Sequence, residues 1–307
     1  MVGIRRSGRL GTVSTFEPHT PNVESRRIAA VKHTKSKKLE EIKMAIKKCV
    51  NIDCLYTEIP FLDRFQAAKD DGFESIEFWS WPNRDLDAIK EAAEKAGIVI
   101  AGFNGDEDGG FSLVDPDDME DYLEFLKKSI AAAKKIGSLS LTIHSNALGE
   151  GGIVANHYDN LSDTVKLCSM YRTLVEAAKL AEENEIQLNL EILNVHVDHV
   201  GNFLKSTQMA AEVIRLIGSP NLRVLYDIYH MQINEGRVCD TIAEYLDTIG
   251  HFHIADVPGR HEPGTGELNY PNIIKKLEEL GYDGRVGAEL FPAKDTETAV
   301  KAILSIF

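Results

Sequence analysis

A chain of 307 residues, 43% of them hydrophobic, can bury one large core or two ordinary ones. Its formal charge of −14 argues against nucleic acid or an anionic membrane as partner, and no apolar run approaches the ~18–20 residues of a membrane span. Four scattered cysteines (Cys49, Cys54, Cys168, Cys239), with no CxxC pair and no secretory apolar region, read as structural thiols in a reducing, cytoplasmic setting.

The chain opens on a basic stretch. Residues 1–38 hold nine Lys/Arg against two acids, a charge of +7 that leaves −21 for the rest. The stretch is rich in Ser, Thr, Pro and Gly and lacks apolar periodicity, so residues 1–47 are expected to be a disordered extension. An Arg-rich, acid-poor start can also serve as an organellar address. A plain extension ahead of "MAIKKCVNIDCLY" is the expectation here.

From residue 48 short β-branched or aromatic runs alternate with helical segments of ten or more residues, most joints carrying Gly, Asn, Asp or Pro. The expected strands are 50–56, 75–81, 98–105, 139–146, 187–193, 223–230, 251–256 and 285–290. Helical segments follow each, including "FLDRFQAAKDDG", "DLDAIKEAAEKAG", the long 161–185 stretch and the closing "ETAVKAILSIF". Eight strand–helix pairs predict an α/β fold, a single-domain (β/α)8 TIM barrel over residues 48–307. A doubly wound sheet usually shows GxGxxG after its first strand, and "CLYTEIPF" stands there instead.

Side chains alternate between the two faces of a strand. In the fifth expected strand Leu188, Leu190 and Ile192 oppose Gln187, Asn189 and Glu191; in the eighth, Val286, Ala288 and Leu290 oppose Arg285, Gly287 and Glu289. The apolar set must face the helices, so the polar set points into the barrel. Glu77, His144, Glu191, Asp227, His253 and Glu289 then sit inside, near the C-terminal strand ends where barrel enzymes work. Buried carboxylates need partners. Three carboxylates and an imidazole from four consecutive strands (Glu191, Asp227, His253, Glu289) predict one divalent cation, and that donor set suits Mn²⁺, Mg²⁺ or Co²⁺. His251, two residues before His253, is expected to be a packed, hydrogen-bonded histidine one layer deeper. Trp79 and Trp81 either wall a pocket or cap the core.

The loop "ADVPGRHEPGTGELNYP" is dense in turn formers and charge. Together with "TEIPFLDRFQAAKDDGFESIEF", "YDIYHMQ" and "GYDGRVGAEL", it makes residues 48–293 resemble the xylose isomerase-like barrels, and within them the hydroxypyruvate isomerase family. The resemblance implies a metal site on Glu191, Asp227, His253 and Glu289, the four that strand parity selects. It also implies substrate contacts from His230 and Arg260, with His144 and Glu77 lining the same pocket. The family pattern of aromatic–Lys–Pro after the last glutamate is replaced here by Leu290, Phe291 and Pro292, which opens the substrate beyond hydroxypyruvate.

The expected chemistry is proton transfer through an enediolate, with Glu191 and Glu289 as the exchanging bases and Arg260 as a bidentate clamp on a substrate carboxylate. The loop is expected to act as a lid carrying that clamp. The expected enzyme is a metal-dependent isomerase of a small hydroxy-keto acid. A ketose 3-epimerase on the same site is the first alternative; a metal-dependent phosphodiesterase resembling the AP endonucleases and a non-catalytic sugar-binding barrel come next. A small-molecule substrate and a homo-oligomer fit such barrels.

Overall fold

The computed structural model describes residues 46–106 and 110–307. Eight parallel strands pair in chain order: β1 (Lys47–Asn51), β2 (Ser75–Glu77), β3 (Val99–Asn104), β4 (Ser140–Ile143), β5 (Gln187–Glu191), β6 (Leu222–Asp227), β7 (Ile249–Ile254) and β8 (Arg285–Ala288). Pairing of β1 with β8 closes the barrel. The helices are α1 (Arg64–Asp70), α2 (Leu86–Ala96), α3 (Met119–Ile136), α4 (Asp163–Asn184), α5 (Thr207–Ile217), α6 (Ile228–Asn234), α7 (Val238–Tyr245), α8 (Tyr270–Glu279) and α9 (Thr296–Leu304). This is the expected (β/α)8 barrel. Residues 1–45 of the expected extension lie outside the described residues, and β1 begins at Lys47, within the stretch assigned to that extension. None of the described helices is long and apolar enough to cross a membrane.

Alternation in the strands builds two compartments. Leu188, Leu190, Val286 and Ala288 are fully buried against the helices, where Leu174, Ala177 and Ala181 of α4 and Ile303 of α9 meet them as one continuous core. Caps fix where the helices start. Asp85 accepts from the Asp87 and Ala88 amides ahead of α2, and Ser162 and Ser206 cap α4 and α5.

All eight strands differ at one end or both from the expected ranges, β2 ending at Glu77 rather than Trp81 and β4 at Ile143 rather than Asn146; two of the differences have a clear local cause. The first strand was expected over 50–56, but it ends at Asn51. The Asn51 side chain accepts the Asp53 amide, and its carbonyl accepts those of Cys54 and Leu55, a turn that outcompetes the ladder. The sixth was expected to reach His230. Asp227 instead caps α6, its Oδ1 accepting from the Tyr229 and His230 amides, so His230 is presented from a helix.

Candidate active site

The C-terminal strand ends bring four acid or imidazole heads together. Glu191, Asp227, His253 and Glu289 are all buried, and one ligand atom from each lies within 4.8 Å of the other three. Three of those atoms, Glu191 Oε1, Asp227 Oδ2 and His253 Nδ1, have no hydrogen-bond partner. Orphaned buried acceptors cost about 1–3 kcal/mol each, and more when charged. Three of them aimed at one point therefore fit a cation. The donor set of three carboxylate oxygens and one imidazole nitrogen suits a hard or borderline divalent ion.

Each head is oriented by a second residue. His144 Nε2 donates to Glu191 Oε2 at 3.1 Å, leaving Oε1 to face the cluster. Asp106 holds His144 from behind, accepting from its backbone amide at 2.6 Å and from Nδ1 at 3.1 Å. Burial alone would depress the His144 imidazole. Asp106 and Glu191 outweigh it and raise the group well above its usual value, so both ring nitrogens donate.

His253 Nε2 donates to Glu77 Oε2 at 3.1 Å, which turns Nδ1 towards Glu289 and Glu191. Glu77 Oε1 lies 2.7 Å from His251 Nε2. Burial pushes the Glu77 carboxyl up, but His251 and His253 pull it below the ordinary range. Space for this layer comes from Gly287, where a Cβ would come within 2.6 Å of Glu77 Oε2. His251 is the buried, paired histidine expected.

Glu289 Oε1 accepts from Trp79 Nε1 at 2.7 Å and Asn51 Nδ2 at 3.1 Å, and Oε2 accepts from Arg260 Nη2. Burial would raise this carboxyl; His253 and Arg260 hold it well below the usual range. Asp227 has less help. Burial pushes it up to about 7 against Arg260 and His253, and the neighbouring Glu191 and Glu289 add to the rise.

His230 is buried 3.4 Å from Asp227 Oδ2 and 3.9 Å from Glu191 Oε1 through its Nε2. The Asn194 side-chain Oδ1 accepts the Val197 and Asp198 amides, so its Nδ2 faces and donates to His230 Nδ1 at 2.7 Å. The ring proton of His230 therefore sits on Nε2, aimed into the site. Burial, then Arg260, lowers its basicity and keeps it neutral.

Arg260 reaches the cluster from the loop after β7. Its guanidinium contacts Glu289, Asp227 (3.6 Å) and His230 (3.5 Å). Asp256 organises that loop: its Oδ1 accepts from the Val257 and Leu268 amides and its Oδ2 from those of Gly264 and Gly266. Gly266 is required by a close approach, because a Cβ there would stand 2.1 Å from the Val257 carbonyl oxygen. Glu262 accepts the Ala293 amide and is no partner of Arg260. Phe291 donates its amide to the Arg260 carbonyl and accepts from His261 Nδ1, tying the loop to the segment after β8.

All six acid and imidazole heads read from the strands converge here, five at the cluster or its edge and Glu77 one layer below. Sequence reasoning missed Asp106, Asn51, Asn194 and Asp256. Asp106 reaches His144 across 38 residues and Asp256 bonds to backbone amides, so neither carried a signal in the sequence. Trp79 walls the site. Trp81 turns away and donates to Ser129 on α3.

A parallel eight-stranded barrel with this inward cluster defines a class, and the comparisons agree. A family model described as "Xylose isomerase-like TIM barrel" matches residues 65–306. The chain is 31% identical to the hydroxypyruvate isomerase of Escherichia coli, across 82% of this chain and 95% of that one. It is 32% identical to the 2-oxo-tetronate isomerase of Cupriavidus necator, across 81% and 94%. Among solved structures, the AP endonuclease, family 2, from Brucella melitensis superposes with a TM-score of 0.75 at 27% identity, covering 83% of this chain and 96% of that one. The chain belongs to the xylose isomerase-like TIM-barrel family and, within it, to the hydroxypyruvate isomerase family.

Proposed function

We propose that the protein is a metal-dependent isomerase of a small hydroxy-keto acid, hydroxypyruvate or a four-carbon relative. The observation that carries this reading is the meeting of Glu191, Asp227, His253 and Glu289 at one point, with Arg260 beside them. Those four would hold the cation. When bound, it supplies Lewis-acid polarisation of the substrate oxygens next to the reacting carbons.

The chain's own groups do the rest. Glu191, oriented by the His144 contact to its Oε2, takes the carbon-bound proton. Glu289, arriving from β8 and ionised beside Arg260, takes the proton of the substrate hydroxyl and delivers it to the neighbouring carbon, while Glu191 passes the proton it removed to the former carbonyl oxygen. His230 offers its Nε2–H to the oxygen that gains charge. Arg260, held by the Asp256-organised loop, exchanges its Glu289 contact for the substrate carboxylate, which a guanidinium grips in two parallel bonds. Glu77, expected to line the pocket, is better placed to hold His253, since its carboxylate contacts His251 and His253. The names of the two enzyme relatives support the same substrate class.

A 3-epimerase uses the same atoms if the proton returns to the opposite face of one carbon. Phe291 favours that reading: it is 45% exposed at the mouth beside Trp79, offering an apolar wall to a longer sugar. A phosphodiesterase, suggested by the Brucella likeness, has less support, because a formal charge of −14 opposes a DNA partner.

Turnover with Mn²⁺ on hydroxypyruvate, 2-oxo-tetronate and free ketoses, with products identified by NMR, decides between them. The oxo-acids are expected to react with kcat/KM at least about tenfold above any neutral ketose. Arg260→Lys is expected to raise KM for the acids about tenfold, the loss of one charge-assisted hydrogen bond. Preferential epimerisation of a ketose, indifferent to Arg260, would overturn the assignment.

A further inference from the structure

We propose that the opposite, N-terminal mouth of the barrel binds a small oxyanion, a carboxylate or inorganic phosphate, through Arg285. This site is separate from the catalytic cluster and independent of the reaction assigned to it. A cavity of about 200 Å³ lies there, lined by Ser140, Gln187, Asn189, His251 and Arg285, with Leu139 at its edge. Leu139 is 44% exposed, so the cavity opens to solvent.

The charge inside is one-sided. Arg285, the first residue of β8, has no ion-pair partner among the described residues, and its Nε is buried without a hydrogen bond. A second arginine, Arg223 on β6, packs over Gly250 at the same level, with Gln187 beside it. Its guanidinium reaches only a backbone carbonyl, that of Ile249, at 3.4 Å. Glu77 is already in contact with His251 and His253, and Asp247 lies close enough to Arg223 to feel its charge, which leaves Arg285 as the arginine without a counter-charge. Arg285 is half-buried, and its buried, unpartnered Nε is the donor that a bound anion would satisfy. Ser140, His251 and two amides complete the polar lining, and Gln187 donates to Asn189 Oδ1, which holds the Asn189 amide group at the cavity wall.

The ligand class follows from these donors. Guanidinium and amide N–H groups recognise carboxylate or phosphate oxygens, the guanidinium through two parallel bonds. The volume has room for about six waters, enough for one tetrahedral or small carboxylic anion and too little for a nucleotide or a sugar chain. Both anion sources share one chemistry, and only titration separates them.

Thermal unfolding of the full chain with increasing inorganic phosphate or, separately, malonate is the test, with chloride at matched ionic strength as control. Wild type and Arg260→Gln should both gain stability as the anion concentration rises, since the Arg260 variant alters only the upper mouth. Arg285→Gln should lose that gain, with affinity down about tenfold or more, while its turnover stays at the wild-type level. A gain retained by Arg285→Gln, or abolished by Arg260→Gln alone, overturns the site. Should Arg285→Gln fail to fold, a wild-type crystal structure grown in phosphate decides: an anion on Arg285 supports the proposal, and ordered water alone in the cavity refutes it.

Discussion

Glu191→Gln and Glu289→Gln are each expected to lower kcat by about 10²–10⁴-fold, the range that a positioned general base contributes. Both substitutions keep the volume and remove the base. Glutamine at 191 keeps an oxygen that can accept from His144 Nε2 and turns its NH2 towards the cluster, which removes both the base and the negative charge there. Glutamine at 289 keeps an oxygen for Trp79 and Asn51 and weakens the grip on Arg260. Both variants should remain folded, because the barrel rests on the apolar face of the strands. Steady-state kinetics beside a thermal melt separates the outcomes. Full turnover in either folded variant would remove that glutamate from the proton transfer.

Removing the divalent ion is expected to abolish turnover and to lower the melting temperature by about 4 °C. An ion at a hundred times its dissociation constant stabilises by about 2.7 kcal/mol, and for a chain of this size each kcal/mol moves the midpoint by about 1.5 °C. The loss should depend on pH, and Asp227 sets the sign. Its carboxyl is raised from 3.8 to about 7 in the folded protein. The metal-free fold thus holds a proton that the unfolded chain gives up near 4. That contribution to stability is fully present below about 4 and disappears as pH rises through about 7. Ion binding needs the carboxylate, so affinity should climb with pH to about 7 and level off above it. Melting curves with and without Mn²⁺ between pH 5 and 8 would read both trends. A metal-induced shift that ignores pH would exclude Asp227 as a ligand.

Legibility in the sequence followed the strength of the local pattern. In β5 and β8 each polar residue is flanked by aliphatic ones, so the inward face could be read directly and Glu191 and Glu289 placed on it. The first strand offers no such alternation. "VNIDCLY" mixes apolar residues with Asn51 and Asp53, and the turn those two make cut the strand short and hid Asn51 from view. "YDIYH" reads as strand by composition, yet Asp227 spends one oxygen capping a helix and leaves the other for the cluster, a division no periodicity reveals. Asp106 is one acid among several in a glycine-rich loop. Only the fold brings it against His144, 38 residues away. Arg260 was visible through its loop; the residue that shapes the loop, Asp256, was not, because its four bonds run to backbone amides that carry no sequence signature.

Crystals soaked in Mn²⁺ and measured at the manganese absorption edge address the central question most directly. The expected result is one strong anomalous peak ligated by Glu191, Asp227, His253 and Glu289, with Arg260 alongside. A metal-saturated crystal with no peak there, or with the ion bound elsewhere while those four heads stay unligated, would contradict it.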